Sequence, residues 1–254
     1  MCLIAFAWRI HPDFPLVVAA NRDEFFVRPA RPARWWEHGG QALLSGQDEQ
    51  AGGTWMGVTP GGRFAALTNH RDPAAVRSNA PSRGALVPHF LGAGKSTTAS
   101  FEELQANARH FNGFNLLAFD GDTLGMLESR EARRQVIEPG AYALSNASLD
   151  APWPKQQRAR AAMATALAGE PDVEALFTML RSDRPAGDAQ LPVTGVGLQW
   201  ERMLSSAFIR APGYGTRCST VVLFGADGRV RFEERSWDAV GRPSGQVLET
   251  FQIQ

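Results

Sequence analysis

The second residue of this 254-residue chain is a cysteine, Cys2. With Met1 removed, that one residue would carry both a thiol and a free α-amine, a nucleophile joined to its own base. The amine titrates near ~8 and the thiol near ~8.5, so a proton can pass between them close to neutral pH. Cys2 also opens an apolar run, Cys2–Trp8, where a cysteine can equally serve as a small packed hydrophobe. Further along, apolar runs end in polar groups suited to the same chemistry. Pro15–Ala20 leads into Asn21-Arg22-Asp23-Glu24, whose four polar side chains must find partners or face a site. Ala65–Leu67 ends in Thr68-Asn69, and Ala143-Leu144 ends in Ser145-Asn146. An Asn held rigidly at a strand end can donate to a developing oxyanion, and it can also simply form a turn. Arg217 leads into the apolar run Ser219–Phe224, as an ion-pair or anion contact would.

These residues need strands to hold them, and the patterning supplies them. Short apolar runs bounded by Gly, Pro and Asp predict strands over Cys2–Trp8, Pro15–Ala20, Thr54–Thr59 and Arg63–Asn69, joined by short antiparallel connections. Strands are also expected at Phe114–Phe119, Thr123–Leu127, Arg134–Ile137, Ala141–Leu144, Ser219–Phe224, Arg229–Glu234 and Val247–Ile253. Helices are expected over Gly84–Leu91, from the capping-box start Ser100-Phe-Glu-Glu103, over Pro154–Leu167 with Gly169 as its stop, and over Pro171–Leu180 with Pro171 in the first turn. Arg28, Arg31, Arg34, Trp35 and Trp36 read as a Pro-rich loop whose tryptophans cover the core, with stacking on a flat ligand as the other reading. Ser182–Gly215 reads as a long irregular segment of the kind used for lids. Strand blocks alternating with helix blocks give an α+β domain of mostly antiparallel sheets, with 1–254 as one unit.

Composition narrows the function. The 26 basic and 26 acidic residues balance, which leaves no electrostatic footprint for nucleic acid or an anionic membrane. No run approaches the ~20 apolar residues of a membrane span, and the N-terminus lacks the basic region of a signal peptide. Two cysteines, Cys2 and Cys218, suit a reducing compartment, so a cytoplasmic protein is expected. The five histidines have no metal-ligand spacing, and no phosphate-cradling glycine loop is present, so neither metal nor cofactor is expected.

Taken together, the motifs resemble one family. Asn21-Arg-Asp-Glu24 behind Met1-Cys2, Arg28-Pro29, Gly52-Gly-Thr-Trp55-Met-Gly57, Leu67-Thr-Asn69-His-Arg71, Gly113-Phe-Asn115-Leu, Leu144-Ser-Asn146 through Pro152-Trp153 and Lys155, Leu191-Pro192 with Thr194-Gly195, and Tyr214-Gly-Thr-Arg217 are similar to the blocks of the NRDE, or transport-and-Golgi-organisation type 2, family. They run in order along nearly the whole chain. Val193 stands where that family often has an acidic residue, and Cys218 where Ser is frequent.

The family in turn resembles the penicillin V acylase and bile salt hydrolase branch of the N-terminal nucleophile (Ntn) hydrolases. That resemblance implies a four-layer αββα sandwich and hydrolysis of an amide or thioester bond in a small acyl substrate. It implies catalytic roles for Cys2, Arg22, Asp23, Asn69, Asn146 and Arg217, and substrate contacts from Asn21, Glu24 and Trp55. In those acylases the Arg precedes the Asp by three residues, whereas Arg22 and Asp23 are adjacent. Neighbouring strand residues face opposite sides, so the two are not expected to share one face. Links of the family to lipid, acyl-CoA or haem handling imply the other reading, a carrier using the same pocket. Haem would need an axial ligand, and among the shared blocks only His70 offers a histidine.

Overall fold

The structure is a computed structural model that describes residues 3–254. The chain builds β1 (Leu3–Trp8), β2 (Leu16–Phe25), β3 (Ala30–His38), β4 (Gln41–Asp48), β5 (Met56–Val58), β6 (Phe64–Asn69), α1 (Leu86–Gly92), α2 (Thr97–Asn107), β7 (Phe114–Phe119), β8 (Leu124–Glu128), β9 (Arg133–Val136) and β10 (Gly140–Leu144). It continues with α3 (Pro154–Ala166), α4 (Val173–Leu180), α5 (Leu198–Met203), β11 (Arg210–Ala211), β12 (Tyr214–Phe224), β13 (Arg229–Trp237) and β14 (Pro243–Gln252). One sheet has the order β10-β1-β2-β12-β13-β14, with β11 added beside β12. The other runs β3-β4-β5-β6-β7-β8-β9, and the pairings in both are antiparallel.

Period-2 alternation sorts the strand residues into layers. Ile4, Phe6, Leu16, Val18, Val222 and Phe232 from the first sheet meet Leu44, Val58, Phe64 and Leu117 from the second. The opposite face of the first sheet, with Leu3, Ala5, Val17, Ala19 and Val221, packs on Met163 of α3 and Leu176, Phe177 and Leu180 of α4. The outer face of the second sheet packs on Leu86, Phe90 and Leu91 of α1 and Phe101 and Leu104 of α2. The result is the expected αββα sandwich. Burying an aliphatic or aromatic side chain at each of these sites contributes about 1.5–3 kcal/mol, which is why the strands hold their register.

Several expected boundaries move. Arg28–Trp36 is no loop: Ala30–His38 and Gln41–Asp48 form a hairpin, turned at Gly39 and Gly40, whose φ values of 57° and 82° suit a two-residue turn. Pro32 sits inside a register shift between Arg31 and Arg34, where its missing N–H breaks no ladder bond. The expected strand over Thr54–Thr59 is only Met56–Val58. Ser100 does not cap α2. Ser96 does, accepting the Ala99 N–H at 3.3 Å, and Ser100 lies buried inside the helix. Asp172, not Pro171, starts α4, accepting the Ala175 N–H at 2.9 Å. The segment expected to be irregular over Ser182–Gly215 contains α5 and β11.

Candidate active site

Asn21-Arg22-Asp23-Glu24 does not follow β2. It is the last part of that strand, so its side chains alternate faces. Asn21 and Asp23 point to the helix side. The Asn21 amide donates to the carbonyls of Leu180 and Ala207 at 2.8 and 2.7 Å and accepts from Ser219 Oγ at 2.6 Å. It is thereby a completely buried clasp between β2, β12, α4 and the chain before β11. Asp23 Oδ1 accepts from Thr216 Oγ1 at 2.6 Å.

Arg22 points between the sheets. Its guanidinium stacks over the Trp55 ring at 4.2 Å and pairs with Asp48 Oδ2 at 3.5 Å. The same carboxylate oxygen accepts from Arg28 Nε at 2.6 Å, and Arg28 lies 3.9 Å from Glu24. Burial works against the Asp48 charge, but hydrogen bonds from Arg28 and the Ala51 N–H, with the charges of Arg28 and Arg22, outweigh it and hold the carboxyl below its usual pKa. Trp55 can reach Arg22 only because residue 46 is glycine. A Cβ there would lie 2.3 Å from Trp55 Cζ2. Gly53, two residues before Trp55, packs backbone to backbone on Gly84, where a Cβ would lie 2.4 Å from the Gly84 oxygen.

A bulge in β12 completes this end of the sheet. Thr216 pairs with Asp23 and Cys218 with Arg22, leaving Arg217 as the extra residue. The bulge lets Thr216 face the helices and Cys218 face the sheet interior, and it aims Arg217 outward. Arg217 donates to the carbonyls of Phe25 and Arg28 at 3.1 and 3.0 Å; burial, then the charge of Arg22, lowers its pKa. Cys218 is buried beside Glu234, which also accepts from the Ala33 N–H at 2.7 Å. Burial, then the neighbouring Glu234, drives the Cys218 thiol well above its ordinary pKa, and burial raises that of Glu234.

Two openings meet at Arg22 and Trp55. A cavity of about 160 Å³ has Arg217, Cys218, Glu234 and Trp237 in its wall, and a cleft of about 400 Å³ takes in Glu24, Arg28, Asp48, Asn69 and the loop 77–84. Asn146 sits one step behind Asn69, its Nδ2 donating to the Asn69 carbonyl at 2.8 Å. Arg71 holds it there: the Arg71 N–H donates to the Asn146 carbonyl at 2.7 Å, and its guanidinium lies 3.4 Å from Asn146 Oδ1. The structure therefore gathers Arg22, Glu24, Trp55, Asn69 and Arg217 around connected space, sets Asn146 against Asn69, and sends Asn21 and Asp23 to the other face of β2. Cys2 lies outside the described residues. A larger hollow of about 430 Å³ opens around Asp13, Glu170 and Arg229, and none of the sequence-derived candidates lines it.

Compared with known families, residues 1–239 match Transport and Golgi organisation 2. The chain belongs to that family. It is 37% identical over 257 residues to the Transport and Golgi organization protein 2 homolog of Bos taurus and 37% identical over 262 residues to that of Homo sapiens, covering 93% of both chains each time. The Drosophila melanogaster protein is 24% identical over 280 residues. Among solved structures the family member resembles a C2A mutant of the conjugated bile acid hydrolase from Clostridium perfringens, with a TM-score of 0.55 at 9% identity over 99% of this chain and 92% of that one. It also resembles a Caenorhabditis elegans N-acylethanolamine-hydrolyzing acid amidase ortholog, with a TM-score of 0.50 at 12% identity over 87% and 92%. At such identities the likeness shows the fold, that of the Ntn hydrolases.

Four charged residues at this end of the family member were not among the sequence candidates. Asp48 and Glu234 carry no local motif, because each meets Arg22 only through sheet pairing and packing. Arg71 and Arg28 stand inside the Leu67–Arg71 and Arg28-Pro29 blocks, so their motif membership was the available signal.

Proposed function

We propose that the protein is an N-terminal-cysteine hydrolase that cleaves an amide or thioester bond in a small acyl substrate. One observation carries the reading. Leu3, to which Cys2 is bonded, is completely buried and fixed opposite Asn21 in the middle of the first sheet. The two Cα atoms of a peptide unit are ~3.8 Å apart, so the Cys2 nucleophile is tethered close to Arg22, where cavity and cleft meet. The bile acid hydrolase of similar fold was solved with a cysteine at its own position 2 changed to alanine.

In this reading the α-amine takes the thiol proton, and the Cys2 thiolate attacks the acyl carbonyl carbon. The C–S bond forms as the carbonyl electrons move to oxygen. Asn69 and the second N–H of Asn146 are the side-chain donors assigned to that oxyanion. Asn146 is prepared for the task by Arg71 and by its bond to the Asn69 carbonyl, which fixes the amide before substrate arrives. The oxyanion collapses, and the leaving amine or thiol departs with the proton from the α-ammonium. Water then attacks the thioester, the α-amine takes its proton, and Cys2 is released. Asp23, buried and anchored to Thr216, is assigned to orient the α-amine, while Arg22 and Arg217 balance negative charge near the thiolate or the substrate.

The test is a panel of N-acyl amides and acyl thioesters assayed with wild type, Cys2→Ser and Asn146→Ala. Loss of turnover in Cys2→Ser and a fall of about 10²–10³-fold in kcat for Asn146→Ala are expected. Stoichiometric ligand binding that survives both changes, with no turnover in any variant, would replace the hydrolase by a carrier.

A further inference from the structure

The larger cleft has a charge imbalance that the hydrolytic chemistry does not use. Arg22, Arg28, Arg77 and Arg83 line it against two carboxylates, Glu24 and Asp48. Both carboxylates are engaged at the Arg22 end, where Asp48 serves Arg22 and Arg28 and Glu24 faces Arg28. The excess positive charge therefore falls at the far end, on Arg77 and Arg83. Among the described residues Arg77 has no carboxylate partner. One of its terminal nitrogens instead donates to the Arg109 and Phe111 carbonyls at 2.8 and 2.7 Å. Arg83 donates to the Gly113 carbonyl at 3.1 Å. Carbonyls fix a guanidinium without neutralising it, and they leave other N–H groups of the fork to bind.

The wall that carries them is built rigidly. Arg77 and Asn112 exchange bonds, the Arg77 N–H to Asn112 Oδ1 at 2.9 Å and Asn112 Nδ2 to the Arg77 carbonyl at 3.0 Å. The other end of the loop is held by the Thr54 N–H donating to the Gly84 carbonyl at 3.1 Å and by the close approach of Gly53 to Gly84.

We infer that Arg77 and Arg83 form a subsite for a compact oxyanion, a carboxylate or a phosphate ester, carried by the substrate at the end remote from the bond attacked by Cys2. The forks match either group bidentately, and the loop places them in advance. The inference deepens the hydrolase reading by naming an anionic acyl substrate, and it rests on that reading only for what happens at the Arg22 end.

Three chain-matched probes test it by isothermal titration at low salt: hexanoate, hexyl phosphate and neutral hexanamide. Binding of at least one anion, at least tenfold tighter than hexanamide and weakening as salt rises, is expected, and the preferred anion tells carboxylate from phosphate ester. Arg77→Gln with Arg83→Gln should weaken the anion at least tenfold and leave hexanamide unchanged. Because those arginines also bind loop carbonyls, Ser78→Asp serves as a second variant: Ser78 is exposed on the same cleft wall, and a negative charge there should weaken the anion while the fold persists. Equal binding of all three probes, or an anion preference untouched by both variants, overturns the subsite. Acylation of Cys2 measured on the same proteins separates the two ideas. Anion binding with an inert Cys2 sinks the hydrolase and leaves the subsite, and acylation without anion preference does the reverse.

Discussion

Glu201→Gln is expected to be among the most damaging conservative changes in this chain. Arg71 and Glu201 are 9% and 5% exposed in their side chains and meet at 2.9 Å. The other Glu201 oxygen accepts the Thr194 N–H at 2.8 Å and its hydroxyl at 2.6 Å, so one carboxylate gathers the segment before α5. Arg71 stacks over Trp153 at 4.8 Å and holds Asn146, which links that segment to the candidate oxyanion donors. Glutamine keeps the volume but leaves the Arg71 charge buried without its counter-charge, a change that costs about 3–5 kcal/mol. In a domain of this size ~1 kcal/mol shifts Tm by about 2 °C, so a fall of about 6–10 °C follows. Calorimetry on the single variants and on Arg71→Met with Glu201→Leu is the assay. The double variant should recover much of the loss, because no charge is left stranded. A Glu201→Gln loss under about 1 kcal/mol, or single losses that simply add in the double variant, would refute the reasoning.

Three further outcomes follow from the site. Burial raises the folded pKa of Glu234 above its unfolded value of ~4.3, so its contribution is fully present below that value and is lost as pH rises through the folded pKa. Glu234→Gln should flatten that decline in melts taken from pH 4 to 8, and identical slopes in both proteins would contradict the burial argument. Asp48 has the opposite sign: with its folded pKa depressed, its contribution is present above ~3.9 and lost as pH falls through the folded value. Asp48→Asn should weaken the acid limb of the stability profile and loosen Arg22 and Arg28, read from acid-unfolding midpoints. Gly46→Ala should force Trp55 off Arg22, destabilise by about 1–3 kcal/mol and shift tryptophan emission, and unchanged emission would mean that the ring has room to spare.

The two-layer core was legible because it rests on period-2 alternation. Leu16, Val18 and Ala20 face one way and Val17 and Ala19 the other, and continuing that count to Arg22 and Asp23 assigns them to opposite faces, as found. The β3–β4 hairpin was hidden by Pro32 and by the charges of Arg31 and Arg34. The Gly39-Gly40 pair was its one local sign, since both adopt positive φ. Ser96 and Ser100 both precede helical spacing, and what favours Ser96 is long-range: Asp120 Oδ2 accepts the Thr97 N–H at 2.6 Å. α5 was illegible for the same reason, a short helix held by Arg71 from 130 residues away. At the site, Arg22, Trp55 and Asn69 were found from motifs. The buried clasp made by Asn21 was not, because its partners Leu180, Ala207 and Ser219 lie far along the chain.

The central claim concerns which thiol reacts. Cys218 is buried with its pKa driven up by desolvation, so it should be inert in the folded protein, and Cys2 should be the nucleophile once Met1 is gone. Intact mass before and after a thiol-reactive acyl probe, followed by peptide mapping, tests this directly. The account predicts loss of one methionine and a single acyl group on Cys2, absent in Cys2→Ser. Retained Met1 with an unmodified Cys2, or an adduct on Cys218 alone, would contradict it.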